Sequence, residues 1–125
     1  MRLLLDTHTV LWWFSDDPRL PATARTAIAH PANQLIVSAV VGYEIAYKQK
    51  LGRLPPLPEI LQRRLLREGV DTLPISMDHA LAAGALRGPH RDPWDRIMIA
   101  QARAGELTVV TVDKVFSDYS VPVIW

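Results

Sequence analysis

Residues 90–113 read His90-Arg91-Asp92-Pro93-Trp94-Asp95-Arg96-Ile97-Met98-Ile99-Ala100-Gln101-Ala102-Arg103-Ala104-Gly105-Glu106-Leu107-Thr108-Val109-Val110-Thr111-Val112-Asp113. The first half is written for a helix. Asp92 suits the N-cap, Pro93 the first helical position, and Asp95 the positive end of the helix dipole. Apolar residues then carry the helix to about Ala104, where Gly105 stops it. The second half, Leu107–Val112, is β-branched and predicts a strand that ends on Asp113. A short strand with no polar face is buried on both sides. That is the mark of a parallel sheet lying between helices.

The pattern repeats outward from this unit. Arg2–Leu5 predicts a buried strand and His8–Phe14 a helix. Asp16, Asp17 and Pro18 mark a turn, and Pro21–Ala29 predicts a short helix. Leu35–Val37 is a second strand. Ser38 is set to cap a long helix that runs to Gly52. Pro55, Pro56 and Pro58 exclude regular structure around them. A helix over Glu59–Glu68, a strand over Thr72–Ile75, a Ser76-capped helix to Leu86 and an edge strand over Val121–Ile124 complete the reading. Strands alternating with helices give an α/β fold, a short parallel sheet with helices on both faces. Sites in such sheets form beyond the carboxyl ends of the strands.

Composition narrows the class. The chain has 125 residues, 49% of them hydrophobic and none of them cysteine. That length fits one domain over residues 1–125, with enough buried surface for one core. Without cysteine there is no disulfide framework, thiolate metal site or thiol nucleophile. The longest nearly apolar run, Leu35 to Tyr43, is far too short to span a membrane. Met1–Leu5 meets Asp6 too soon for a signal-peptide core. A soluble cytoplasmic protein is therefore expected. Net charge is +1, but residues 44–68 carry six basic residues against three acidic. Residues 69–125 carry five basic against seven acidic. A basic middle beside an acidic end suits either a polyanion ligand or an ordinary solvated face.

Four acids fall where sites form. Asp6 follows the first strand, Glu44 lies two turns into the helix after the second, Asp95 opens the helix quoted above, and Asp113 ends the strand after it. Each has a structural alternative. Asp6 and Asp113 can cap helices, Asp92 and Asp95 together make a helix start, and Glu44 can pair with Lys48 four residues on. Gathered at one sheet end, such carboxylates repel unless a cation or protons neutralise them. Oxygen ligands without cysteine or paired histidine favour Mg²⁺ or Mn²⁺. His8 and His90 are expected in packing or loop hydrogen bonds. Gln101, on an apolar helix face, needs a partner, either the acidic site or a backbone group.

Taken in order, Leu3-Leu4-Leu5-Asp6-Thr7-His8, Glu44 before Lys50-Leu51-Gly52, His90-Arg91-Asp92-Pro93-Trp94-Asp95-Arg96 and Val110-Thr111-Val112-Asp113 resemble the PIN-domain proteins, specifically the VapC-type toxins of toxin–antitoxin pairs. The resemblance spans nearly the whole chain. It implies a three-layer α/β/α fold and a metal-dependent endoribonuclease whose acidic quartet is Asp6, Glu44, Asp95 and Asp113. Asp6 and Asp95 would hold the principal ion, and Asp113 and Glu44 a second ion or the attacking water. Thr7 and Thr111 match hydroxyl positions near that centre, with Asp92 beside it as an assistant or a cap, and Gln101 behind it. Lys48, Lys50, Arg53 and Arg96 would guide the RNA backbone, although Arg96 equally suits a carboxylate partner. The family pattern further implies 5′-phosphate and 3′-hydroxyl products, a homodimer, and a small antitoxin that blocks the acidic groove. Trp94 stands where phenylalanine is more usual. Three other readings stand beside this one. A silent module that only binds RNA or protein would keep the same fold. A phosphoacceptor domain lacks its acceptor, because the strand Leu35–Val37 ends in Ser38, and a haloacid-dehalogenase-like phosphatase would need an acid where His8 stands.

Overall fold

The computed structural model describes residues 1–125. Its elements run β1 (Arg2–Leu5), α1 (Thr7–Phe14), α2 (Ala22–Ala29), β2 (Gln34–Ser38), α3 (Ala39–Lys50), α4 (Leu61–Arg67), β3 (Asp71–Leu73), α5 (Met77–Ala85), α6 (Pro93–Gly105), β4 (Thr108–Val110), α7 (Val115–Asp118) and β5 (Val123–Ile124). The five strands form one sheet in the order β3-β2-β1-β4-β5, and every pairing is parallel. The architecture is the expected α/β/α sandwich.

The apolar strands explain the layering. Leu3, Leu4 and Leu5 are all fully buried, as are Val109 and Val110, so β1 and β4 need cover on both faces. α6 provides part of it with Met98, Ile99 and Ala102, and α3 with Val40, Val41 and Ile45. β1 sits in the middle. The chain builds β2 and β3 on one side of it, then crosses to β4 and β5 on the other. The order reverses between β1 and β4, which makes their carboxyl ends the natural crevice of the sheet.

Several boundaries differ from the sequence reading: β5 covers Val123–Ile124 and not Val121–Ile124, and α4 covers Leu61–Arg67 and not Glu59–Glu68. β4 covers only Thr108–Val110, not Leu107–Val112. Its register pairs Val110 with Leu5, the last residue of β1. Beyond that, β1 turns into α1 and offers no ladder, so Val112 is left 47% exposed. β3 likewise stops at Leu73, short of Ile75. At the end of α6, Gly105 stays helical and Glu106 takes the left-handed cap, with φ 53°. Ser38 caps α3, accepting a hydrogen bond from the Val40 amide, as its position predicts.

Candidate active site

Asp6 is fixed from two sides at the end of β1. Its Oδ1 accepts from the Thr7 amide at 2.8 Å, the N-cap of α1, and its Oδ2 accepts from the Thr111 hydroxyl at 2.7 Å. Thr111 is buried where the chain leaves β4. The cap and the site alternatives for Asp6 are therefore compatible, because one carboxylate oxygen serves each. The same Thr111 hydroxyl accepts from the Asp113 amide at 2.9 Å. Asp113 in turn accepts from the Val115 amide at 3.0 Å and starts α7. One threonine thus ties the carboxyl ends of β1 and β4 together across the crevice.

α6 presents Asp95. Asp92 caps this helix as predicted, its Oδ1 accepting from the amides of Trp94 and Asp95 at 2.9 and 3.1 Å. The Asp95 carboxylate lies 2.8 Å from His90 Nε2. Burial pushes its pKa up. The His90 contact opposes that rise, and the charges of Asp92, Asp6 and Asp113 add to it. Glu44 on α3 behaves likewise. Burial raises its pKa first, and then the charge of Asp6, with Asp95 contributing. The Thr7 hydroxyl and Lys48 oppose that rise. Yet Lys48 makes no ion pair with Glu44, and Thr7 Oγ1 stays buried without a formed hydrogen bond. Asp6, Glu44, Asp95 and Asp113 therefore lie within electrostatic reach of one another at one end of the sheet.

The set suits a hard divalent cation. All the donors are oxygens, their negative charge is not compensated by an ion pair to lysine or arginine, and a buried hydroxyl beside them lacks a partner. No three of the His, Asp and Glu side chains stand close enough to enclose an ion unaided.

Several expectations need correction. Arg96 pairs with no carboxylate. Its guanidinium donates to the carbonyls of Ala83, Leu86 and His90, clamping the end of α5 and the 87–91 loop onto α6. Of the two alternatives for Gln101, the structure takes the backbone group and not the acids. Its Nε2 donates to the Pro74 carbonyl at 3.3 Å, beyond β3, and its Oε1 is buried without a partner. His90, expected in packing or a loop hydrogen bond, makes its hydrogen bond from the loop to the Asp95 carboxylate. His8 stacks on Trp12, with centroids 5.3 Å apart and planes 17° from parallel. Partial desolvation and then the charge of Lys48 lower its pKa. Lys48, Lys50 and Arg53 cluster at the end of α3 and in the turn after it, as the sequence placed them.

Comparison with known proteins adds lineage. The PIN domain family model matches residues 3–122. Ribonuclease VapC22 of Mycobacterium tuberculosis is 33% identical over 114 residues, covering 90% of this chain and 87% of its own. Among solved structures, VapBC2 from Rickettsia felis, bound to a promoter DNA fragment, superposes with a TM-score of 0.67 at 15% identity, covering 98% and 97% of the two chains. VapBC-1 from nontypeable Haemophilus influenzae gives 0.66 at 18% identity, over 98% and 96%. At those identities the structures speak for the fold. No helix is long and apolar enough to cross a membrane.

Proposed function

The chain belongs to the PIN-domain family, and from that premise we propose that it is an endoribonuclease, the toxin of a toxin–antitoxin pair, hydrolysing RNA phosphodiester bonds with Mg²⁺ or Mn²⁺ at Asp6, Glu44, Asp95 and Asp113. The observation that carries the reading is the convergence of these carboxylates at the β1–β4 crevice, where the Thr111 hydroxyl joins Asp6 to the end of β4 and burial with neighbouring acids raises Glu44 and Asp95. Clustered anions at a sheet's carboxyl end destabilise the fold, and recruiting a cation is the use that offsets them. The ribonuclease name of the mycobacterial relative and the VapBC complexes among the structural neighbours support RNA as substrate and an antitoxin as partner. A homodimer acting in the cytoplasm completes the proposal.

The chain's own groups divide the work. Asp6, Asp95 and Asp113 are the residues that would hold the cation. When bound, it supplies a positive centre that neutralises phosphate charge and makes a water more acidic. Thr111 keeps Asp6 in one rotamer through its 2.7 Å hydrogen bond, and His90 does the same for Asp95. Glu44 takes the proton of the attacking water at its carboxylate, the role its raised pKa suits. Lys48, Lys50 and Arg53 hold the RNA backbone by charge, with the salt dependence that brings.

The test is cleavage of RNA by purified, antitoxin-free protein in Mg²⁺ or Mn²⁺ beside an EDTA control. Cleavage that EDTA abolishes, leaving 5′-phosphate ends, is expected. Cleavage that continues in EDTA would refute the metal-dependent mechanism.

A further inference from the structure

The 87–90 loop and α7 enclose a recess of about 290 Å³ that the acid–cation chemistry does not use. Two of its wall residues fix its place beside the acids. His90 lines it and meets the Asp95 carboxylate at 2.8 Å. Val115 lines it too, and the Val115 amide donates to the Asp113 carboxylate at 3.0 Å. The recess is therefore one residue away from both acids. Gly88, Pro89 and Tyr119 lie between those two walls. Gly88 has φ 110°, and a Cβ there would stand 2.8 Å from the Tyr119 hydroxyl. The loop is thus packed down on the ring, which sets the shape of the recess before any ligand arrives.

The two remaining wall residues identify the occupant. Arg87 and Asp118 both line the recess, yet neither forms an ion pair, with the other or with any other residue. A fork of donors and a pair of acceptors share one small space without neutralising each other. A charged protein side chain would satisfy one of them and repel the other. A flat ligand with acceptors on one edge and donors on the next satisfies both. Unstacked guanine is such a ligand: O6 and N7 accept a bidentate arginine, and N1–H and N2–H donate to a carboxylate. Adenine turns its N6 donor towards the arginine and its N1 acceptor towards the carboxylate. Cytosine lacks the N7 acceptor and the paired donors. We propose that the recess reads one guanine of the RNA strand beside the scissile phosphate, with Arg87 on its O6 and N7 and Asp118 on its N1–H and N2–H. This inference rests on the ribonuclease reading and adds base specificity to it, set by two residues outside the acidic quartet.

The experiment is fluorescence anisotropy of a labelled oligouridylate carrying one central guanosine, or adenosine or cytidine in its place, in EDTA so that cleavage plays no part. Wild type is expected to bind the guanosine oligomer roughly 10-fold more tightly than the other two, the scale of one bidentate base contact. Arg87→Ala and Asp118→Ala should each erase that preference while leaving the adenosine oligomer bound as before. Arg87→Lys keeps the charge and loses the fork, so it should erase the preference as well. Equal wild-type affinity for the three oligomers overturns the proposal. So do variants that weaken all three alike, because Arg87 would then hold only backbone charge. A result in which the alanine variants lose the antitoxin but keep the guanosine preference also overturns it, since the recess would then face a protein. Because the readout is binding, the two readings fail separately. Guanosine preference without cleavage in Mg²⁺ would sink the nuclease and keep the base pocket. Cleavage in Mg²⁺ without that preference would do the reverse.

Discussion

At Glu44 the sequence left two alternatives, a surface ion pair with Lys48 and a site carboxylate. The structure makes no such ion pair and instead buries Glu44 partly, near Asp6 and Asp95. A carboxyl whose pKa is raised in the fold is penalised when ionised. The sign follows directly. The penalty is fully present above the raised value and disappears as pH falls below the ordinary value of 4.5. In EDTA, Glu44→Gln is therefore expected to melt a few degrees above wild type at pH 7–8, about the shift that removal of one unfavourable charge produces. The gap should close in acid. Melting curves across pH check this, and a variant less stable than wild type at neutral pH would contradict it. Asp6 was legible because both of its roles are written locally, in the apolar strand before it and the helix after it. The hydroxyl of Thr111 was legible only by resemblance, since nothing near residue 111 announces a partner 105 positions earlier.

The elements carry the site by their ends. The start of α6 was legible to the residue, because Asp92 and Pro93 are cap and first-turn signals that need no tertiary contact. The loop before it was not. Gly88 has φ 110°, and a Cβ there would stand 2.8 Å from the Tyr119 hydroxyl, so the loop closes down on α7 in a way only the folded chain defines. Arg96 was misread for the same reason. A guanidinium after two acids suggests a salt bridge, yet the unsatisfied carbonyls at the end of α5 and in the 87–91 loop claim it. Lysine cannot reproduce a planar fork that reaches three acceptors. Arg96→Lys should loosen the loop, free His90 from Asp95, lower stability by about 1–3 kcal/mol and slow cleavage by roughly 10-fold. Thermal melts and initial rates measure both. Unchanged melting and rate would show that the clamp does not position Asp95. β4 was overextended in the sequence reading because β-propensity persists to Val112, whereas the ladder ends with its partner, at Leu5.

Across the whole molecule, the alternation of apolar strands with helices was sufficient to give the parallel α/β/α sandwich, and with it the end of the sheet where acids would converge. The strand order was a different matter. Which side of β1 receives β4 is a long-range choice that single-chain periodicity does not contain. That placement brings Asp113 and Thr111 beside Asp6 and makes the crevice a site. The central claim is that these converging carboxylates cleave RNA. It is tested most directly by initial cleavage rates in Mg²⁺ for wild type, Asp6→Asn and Asp95→Asn, with Arg103→Gln on the exposed side of α6 as control. The account predicts that both asparagine variants fall by at least ~100-fold, the scale set by removing one group that stabilises transition-state charge, while the control cleaves as wild type does. Equal rates in all four proteins would contradict it.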